Sequence, residues 1–82
     1  MKKSQSLSAE EKKHLKNIGE RLKYFRKKAG FTSYEYFAYE HNINRSQYSS
    51  YEAGGNIQMN TLIKILKALK VSLKDFFAKG FE

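Results

Sequence analysis

Apolar residues in this chain recur at steps of three and four positions and never alternate with polar residues over a strand-length stretch. The clearest series comprises Leu15, Ile18, Leu22, Phe25 and Ala29. At about 100° per residue these five positions fall within roughly 80° of arc, which is one face of a helix. A half-buried β-strand needs apolar and polar residues in alternation. The spacing therefore predicts an all-α fold.

Capping residues mark where the helices begin and end. The N-terminal signals are Ser8 with Glu11, Thr32 and Ser33, Asn44 with Gln47, and Ser72 with Asp75. Gly30 and the run Gly54-Gly55-Asn56 are stop signals. The predicted helices span about 9–29, 34–41, 44–53 and 59–69, and a short last helix follows Ser72. We therefore expect a compact bundle of five short helices.

The later helices carry apolar faces that can complete one core. These faces are Met59, Leu62, Ile63, Leu66 and Leu69 in the fourth helix, and Leu73, Phe76 and Phe77 in the last. A chain of 82 residues forms one domain. We predict a flexible N-terminal tail over residues 1–7 and a single domain over residues 8–82.

Composition argues against several classes of protein. The chain has no cysteine, and its two histidines, His14 and His41, lie far apart, so no metal site is predicted. No apolar run approaches the roughly 18 residues of a membrane span, so a cytoplasmic protein is expected. No nucleophile–base pair or phosphate-cradling loop stands out, which predicts no enzyme and no cofactor. We expect no small-molecule ligand, because 82 residues leave no room for a ligand pocket beside the helices.

The net charge of +8 favours a polyanionic partner. Residues 1–30 hold ten Lys and Arg against three Glu, whereas residues 31–60 hold one Arg against three Glu. Residues 61–82 hold five Lys against two acids. The flanks therefore supply most of the long-range attraction, and the alternative is a basic protein that binds nothing in particular.

The middle of the chain meets the physical demands of a helix-turn-helix, two short helices joined by a tight turn. Ala38 is the small residue where the helices approach, and Asn42 tolerates positive φ in the turn. Ile43, Tyr48 and Tyr51 supply the apolar positions that follow. His41 departs from the pattern, because an apolar residue usually precedes the turn.

Residues 18–77 resemble the lambda-repressor-like, Cro/XRE-type helix-turn-helix family. The resemblance rests on two segments. These are the run Ile43-Asn44-Arg45-Ser46-Gln47-Tyr48-Ser49-Ser50-Tyr51-Glu52-Ala53-Gly54 and the tail Leu69-Lys70-Val71-Ser72-Leu73-Lys74-Asp75-Phe76-Phe77. Tyr34 departs from the family, which usually has Gln at the start of the second helix. The resemblance implies a sequence-specific regulator of transcription that binds double-stranded DNA, with the helix over about 44–53 lying in the major groove.

The DNA contacts expected from the residues and the resemblance are Arg45, Ser46, Ser49, Ser50, Tyr34, Ser33, Asn44 and Asn56. The serines cluster opposite Tyr51 on a helical wheel, and small side chains let a helix sit deep in the groove. Arg45 can donate two hydrogen bonds to a guanine edge. By resemblance, Arg45, Ser46 and Ser50 match the positions that touch bases. A solvated serine face, a surface tyrosine and a simple glycine cap are the alternatives at these sites.

Two other functions stay open from the sequence. The fold could serve as a protein-interaction module, such as the antitoxin of a toxin–antitoxin pair, with DNA binding as autoregulation. A membrane-surface protein is the third class, but the apolar face of the first helix is needed for the core. Phe76, Phe77 and Phe81 suggest a homodimer contact, and the alternative is that all three rings cover the core of one chain.

Charged residues on the first helix give two further expectations. Lys12, Lys16, Lys23 and Lys27 fall within about 60° of arc on the first helix, where they either steer binding or form a solvated face. Arg26 lies at the margin of the apolar arc, and Glu52 adjoins the buried side of the helix over 44–53. An arginine and a glutamate at the matching places bridge these helices in the repressor family. We therefore expect a buried Arg26–Glu52 ion pair.

Overall fold

Side chains cap four of the five helices in the computed structural model, which describes residues 7–81. The helices are α1 (Ala9–Lys28), α2 (Tyr34–Glu40), α3 (Arg45–Glu52), α4 (Met59–Leu69) and α5 (Leu73–Phe76). No strand occurs within the described residues. The all-α fold and the five helices are confirmed, with ends within one residue of the predicted ranges. Residues 1–6 of the predicted tail lie outside the described residues.

Local hydrogen bonds explain where the helices begin. The hydroxyl of Ser8 accepts a hydrogen bond from the amide of Glu11 at 3.1 Å, and the Ser8 amide donates to the Glu11 carboxylate at 2.8 Å. Ser33, Asn44 and Ser72 each accept from the backbone N–H three residues later, at 3.2, 2.9 and 3.0 Å. Each bond satisfies a backbone donor that the first turn of a helix leaves unpaired.

Each of the first four helices is followed, within two residues, by a residue of positive φ that ends it in the same way. These residues are Gly30, Asn42, Gly54 and Lys70, with φ of 98°, 57°, 102° and 61°. In each case the amide of that residue bonds three residues back, and the next amide bonds five residues back. This pairing is the Schellman motif, which satisfies the last carbonyls of a helix. Lys70 is the exception in type, because positive φ usually selects Gly or Asn.

The core lies where the five helices meet. Its buried apolar residues are Leu22, Phe37, Ala38, Tyr48, Tyr51, Leu62, Ile65, Leu66, Leu69 and Phe76. Ala38 is fully buried where α2 meets α3, and Ile43 packs partly buried against the core, as the turn pattern predicts. This packing fixes which face of α3 is left for solvent.

The predicted apolar faces need four corrections. Ala29 is exposed, because it caps the end of α1 beyond the last turn that other helices cover. Met59, the first residue of α4, is 58% exposed, and Leu73, the first of α5, is 44% exposed. Ile65 is fully buried although the predicted face omitted it. On a helical wheel it lies about 40° from Leu69, so the core covers a wider arc of α4 than expected.

His41 stands before the turn, where an apolar residue is usual, and its ring packs against aromatic rings there. Its ring centroid lies 4.6 Å from that of Phe37 and 5.6 Å from that of Phe31. The buried Nε2 atom has no hydrogen-bond partner among the described residues. The imidazole therefore serves here as a flat, largely apolar side chain.

Gly19 allows α1 and α3 to cross closely. A Cβ atom at Gly19 would lie 2.5 Å from the carbonyl oxygen of Glu52 and 2.6 Å from that of Tyr51. Both atoms belong to the backbone, so they cannot move aside as a side chain does. The last turn of α3 therefore rests directly on the backbone of α1.

An ion pair also joins α1 and α3 at this crossing. Arg26 donates from Nε and Nη2 to the Glu52 carboxylate at 2.7 and 3.2 Å, and from Nη1 to the carbonyl of Phe31 at 2.6 Å. The two side chains are 4% and 10% exposed, so the predicted buried pair is confirmed. The hydrogen bond to Glu52 raises the pKa of Arg26. Burial raises the pKa of the adjacent Tyr48, and Glu52 raises it further, so this phenol stays protonated.

We predict that Gly19→Ala destabilises the fold although alanine favours helix. The gain in helix propensity is about 1 kcal/mol, whereas a clash against rigid backbone costs roughly 1–3 kcal/mol or more. Urea denaturation should show a lower midpoint for Gly19→Ala. Lys23→Ala, at an exposed position of the same helix, is the control and should stay close to the parent protein. A Gly19→Ala midpoint at or above the parent value would contradict the close crossing.

We also predict that Glu52→Gln lowers the free energy of unfolding by about 3 kcal/mol, because it leaves the Arg26 charge buried without a counter-charge. Glu40→Gln makes the same chemical change at an exposed position and should cost no more than about 0.5 kcal/mol. Thermal and urea denaturation of both variants provide the measurement. Equal losses in the two variants would refute the role of the pair.

Candidate nucleic-acid interface

The rotation of α3 is fixed by two buried tyrosines. Tyr48 is fully buried and Tyr51 is 7% exposed, and both face the core. Arg45, Ser46 and Ser50 are exposed on the remaining surface of the helix. Ser49 is only half-buried, so it is less accessible than its two serine neighbours. The structure thus places three of the predicted base-contact residues on an open surface and Ser49 at its edge.

Two predicted contact residues already serve as helix caps. The side-chain oxygen Oδ1 of Asn44 accepts a hydrogen bond from the backbone N–H of Gln47 in α3. The hydroxyl oxygen of Ser33 accepts one from the backbone N–H of Tyr36 in α2. The side-chain NH2 group of Asn44 and the hydroxyl proton of Ser33 are still available as hydrogen-bond donors. Phosphate oxygens accept hydrogen bonds only. Capping and phosphate binding are therefore compatible at both residues.

Ser50 is restricted by its neighbours. Its hydroxyl donates to the carbonyl of Gln47 at 2.8 Å, and its own carbonyl accepts the amide of Gly55 at 2.7 Å. A Cβ atom at Gly55 would lie 2.9 Å from that carbonyl, so glycine is needed for this approach. With its proton engaged, the hydroxyl of the exposed Ser50 can act only as an acceptor. Cytosine and adenine present the amino donors that it can accept from.

Tyr34 opens α2 and is more than a surface tyrosine. Its ring is half-buried and packs against the core. The other tyrosines of α2 differ, since Tyr36 is 55% exposed and Tyr39 is 80% exposed. Tyr36 stacks on Phe31 at 5.8 Å, and the charge of Glu40 raises its pKa. The exposed face of α2 therefore presents two tyrosine rings that the sequence did not assign to a site.

A polar groove of about 480 Å³ runs beside α3 toward α4. It brings together three of the predicted contacts, Asn44, Ser50 and Asn56. The groove also contains polar residues that sequence reasoning missed, namely Asn42, Gln47, Gln58, Thr61 and Lys64. The other predicted contacts, Arg45, Ser46, Ser49, Ser33 and Tyr34, lie outside its lining. Lys64 lies on the polar side of α4, opposite its apolar face, but nothing in the sequence places that side beside α3.

The lysines of α1 border this unit. The Cα atom of Lys16 would lie 3.4 Å from a Cβ atom at Gly54, so α1 touches the loop that follows α3. On a helical wheel the four lysines of the predicted stripe lie about 20–80° from Gly19, where α3 crosses. All four are exposed. The lysine stripe (Lys12, Lys16, Lys23 and Lys27) therefore runs along the edge of α1 that faces α3 and its loop.

The aromatic rings near the C-terminus pack within one chain. Phe76 is fully buried, and its ring lies 4.9 Å from that of Phe77. Phe81 in turn lies 4.9 Å from Phe77. Phe77 and Phe81 are each only half-buried in the single chain, so part of both rings stays open to solvent. The homodimer contact at these rings therefore stays a prediction.

Other site classes gain no support within residues 7–81. No helix there combines the length and the apolar character needed to cross a membrane. No three His, Cys, Asp or Glu side chains gather as metal ligands in this part of the chain. His14 lies on an exposed face, 3.9 Å from Glu10, whereas His41 packs against the ring of Phe37.

Comparison with known proteins identifies the family. Residues 22–76, from the middle of α1 to the end of α5, match the family model described as Helix-turn-helix. Searches of curated proteins and of solved structures gave no match. The matched segment contains α2, the turn and α3, together with the groove beside them. The chain belongs to the Cro/C1-type, XRE-like helix-turn-helix family of DNA-binding transcription regulators.

Proposed function

We propose that this protein recognises a specific double-stranded DNA sequence by placing α3 in the major groove. The observation that carries the proposal is the division of α3 into a buried tyrosine side and an exposed side with Arg45, Ser46 and Ser50. The major groove accommodates one α-helix, and its base edges present a distinct pattern for each base pair. Small serines allow a close approach, and the core holds the helix in a fixed rotation.

The residues around α3 have a different role in this proposal. Asn44, Asn56 and Lys64 present donors along the polar groove, and Ser33 and Tyr34 do so at the start of α2. Contacts to phosphates set the register of a protein on DNA but carry no sequence information. We therefore assign these residues to the DNA backbone and the exposed side of α3 to the bases.

The test begins with selection of bound duplexes from a random pool, because the preferred site must be known before variants are compared. An enriched consensus supports sequence-specific recognition. Retention of the pool without enrichment leaves only non-specific DNA binding and would overturn the proposal. The antitoxin alternative uses the same DNA interface and requires, in addition, co-purification with a toxin.

We predict that Arg45→Ala weakens binding to the selected site by roughly 1–3 kcal/mol and relaxes the preference at one base pair. The reason is that a guanidinium in the first turn of α3 can donate two hydrogen bonds to one guanine. Fluorescence anisotropy with the selected duplex and a random duplex provides the measurement. Equal losses on the two duplexes would show that Arg45 contacts only phosphate.

We predict that the lysine stripe contributes to affinity but not to specificity. Lys12→Gln with Lys16→Gln should reduce the slope of log K against log salt by about 2, because each phosphate contact contributes about 0.9. Lys67→Gln with Lys74→Gln removes the same charge from exposed positions of α4 and α5. Titrations at several salt concentrations compare the pairs. The same change of slope in both pairs would reduce the stripe to general charge.

A further inference from the structure

A second groove lies on the side of α1 that faces away from α3. Two adjoining hollows, of about 290 and 230 Å³, share Phe25, Lys28 and Asp75 in their lining. At about 100° per residue, Arg21, Tyr24 and Lys28 lie roughly 140–200° from Gly19. Since α3 crosses α1 at Gly19, this second groove is separate from the proposed DNA interface.

The second groove has a fixed wall. Arg21 donates from Nε and Nη2 to the backbone carbonyls of Phe76 and Asp75, each at 2.9 Å. Its guanidinium carbon lies 4.7 Å from the ring centroid of Phe25. Asn17 donates to the backbone carbonyl of Gly80 at 2.8 Å. These bonds attach the C-terminal segment to α1, so the groove is formed before any partner arrives.

The lining of the second groove combines an apolar floor with a positive rim. Phe25, Leu69 and Val71 form the apolar part, and each belongs to the core or packs against it. The basic residues around it are Arg21, Lys28, Lys70 and Lys79, and the acidic residue of the lining is Asp75. Lys28, Lys70 and Lys79 are exposed. The charge of this surface therefore complements an acidic partner.

The same charge argues against a second copy of this chain as the occupant. A two-fold contact brings a surface against itself. The three lysines of one copy would then face those of the other, and like charges in contact are unfavourable. The same charge would also attract nucleic acid, but a charged phosphate backbone would not cover the apolar floor. A protein segment that carries both carboxylates and an apolar side chain uses both parts.

We propose that the second groove binds an acidic segment of a partner protein, with one bulky apolar side chain seated on Phe25, Leu69 and Val71. The carboxylates of the segment pair with Lys28, Lys70 and Lys79 around the rim. An apolar anchor in a preformed hollow supplies affinity, and the charged rim guides the encounter and the choice of partner. Because this surface lies across α1 from α3, the partner and DNA bind at the same time.

A synthetic peptide tests the proposal without knowledge of the natural partner. The probe is a fluorescein-labelled twelve-residue peptide with a central Leu-Phe pair flanked on both sides by alternating Glu and Ser. The matched peptide has Gly-Ser in place of Leu-Phe and keeps every charge. Anisotropy at about 0.1 M salt should show binding of the probe and at least about fivefold weaker binding of the matched peptide. Shifts of backbone amide resonances should map to the second groove.

Two charge-reversal pairs locate the binding surface. Lys28→Glu with Lys70→Glu should weaken probe binding about tenfold, because the rim attraction becomes repulsion. Lys12→Glu with Lys16→Glu makes the same change in net charge on the lysine stripe and should leave probe binding within about twofold. Affinity for a DNA duplex should show the opposite order. Circular dichroism confirms that each variant is folded before it is compared.

Several outcomes would overturn the proposal. No binding of the probe by the parent protein at millimolar concentration, or equal binding of the Gly-Ser peptide, removes the apolar anchor. Equal loss of probe binding in the two pairs reduces the effect to net charge. A dimer that dissociates with Lys28→Glu and Lys70→Glu assigns the surface to a second copy. Failure of DNA selection leaves these results intact, because the peptide measurement does not depend on DNA.

Discussion

The position of α3 depends on a single guanidinium at its crossing with α1. Arg26 binds the Glu52 carboxylate with two nitrogens and the carbonyl of Phe31 with the third, so one side chain joins α1, α3 and the loop that begins α2. Burying two charges is costly, and the net stability from such a pair is small. The Arg26–Glu52 pair matters for geometry. Glu52 without Arg26 would be a buried carboxylate with no counter-charge, so α3 keeps the position in which the two side chains meet. Together with the direct backbone contact at Gly19, the pair sets the distance and direction of α3.

Local chemistry determines most of the fold, and it was readable from the sequence for that reason. The caps at Ser8, Ser33 and Asn44 and the positive φ of Asn42 involve bonds within a few residues of chain. Burial is different, because it depends on which neighbours cover a face. Met59 and Ile65 lie on the same amphipathic helix, yet only Ile65 is covered. Lys70 adopts positive φ because the chain must turn there after α4, although its side chain does not favour that conformation.

The proposed interface was predictable only where one helix contains it. The apolar pair Tyr48 and Tyr51 defines the rotation of α3, so the exposed side with Arg45 and Ser46 follows from the spacing. The polar groove is built from the turn, α3, the loop after it and α4. Lys64 enters it from a distant part of the sequence, and no pattern along the chain relates it to α3. The same reason hid the second groove, whose walls come from α1 and the C-terminal segment.

In the proposed interface, the distribution of charge would separate affinity for DNA from discrimination between sequences. Helix α3 contains one Arg and one Glu, and the Glu is neutralised by an arginine of another helix. The element proposed to read bases therefore has little net charge of its own apart from Arg45, while the lysine stripe lies on the neighbouring edge of α1. Attraction by phosphates acts equally on every sequence, so a strongly basic reading helix would hold wrong sites as firmly as right ones. In the proposed complex, most of the charge lies on α1, and selection would depend on short-range contacts of α3. Helix α1 has basic residues on two sides. It therefore contributes to the positive charge of the second groove without adding charge to α3.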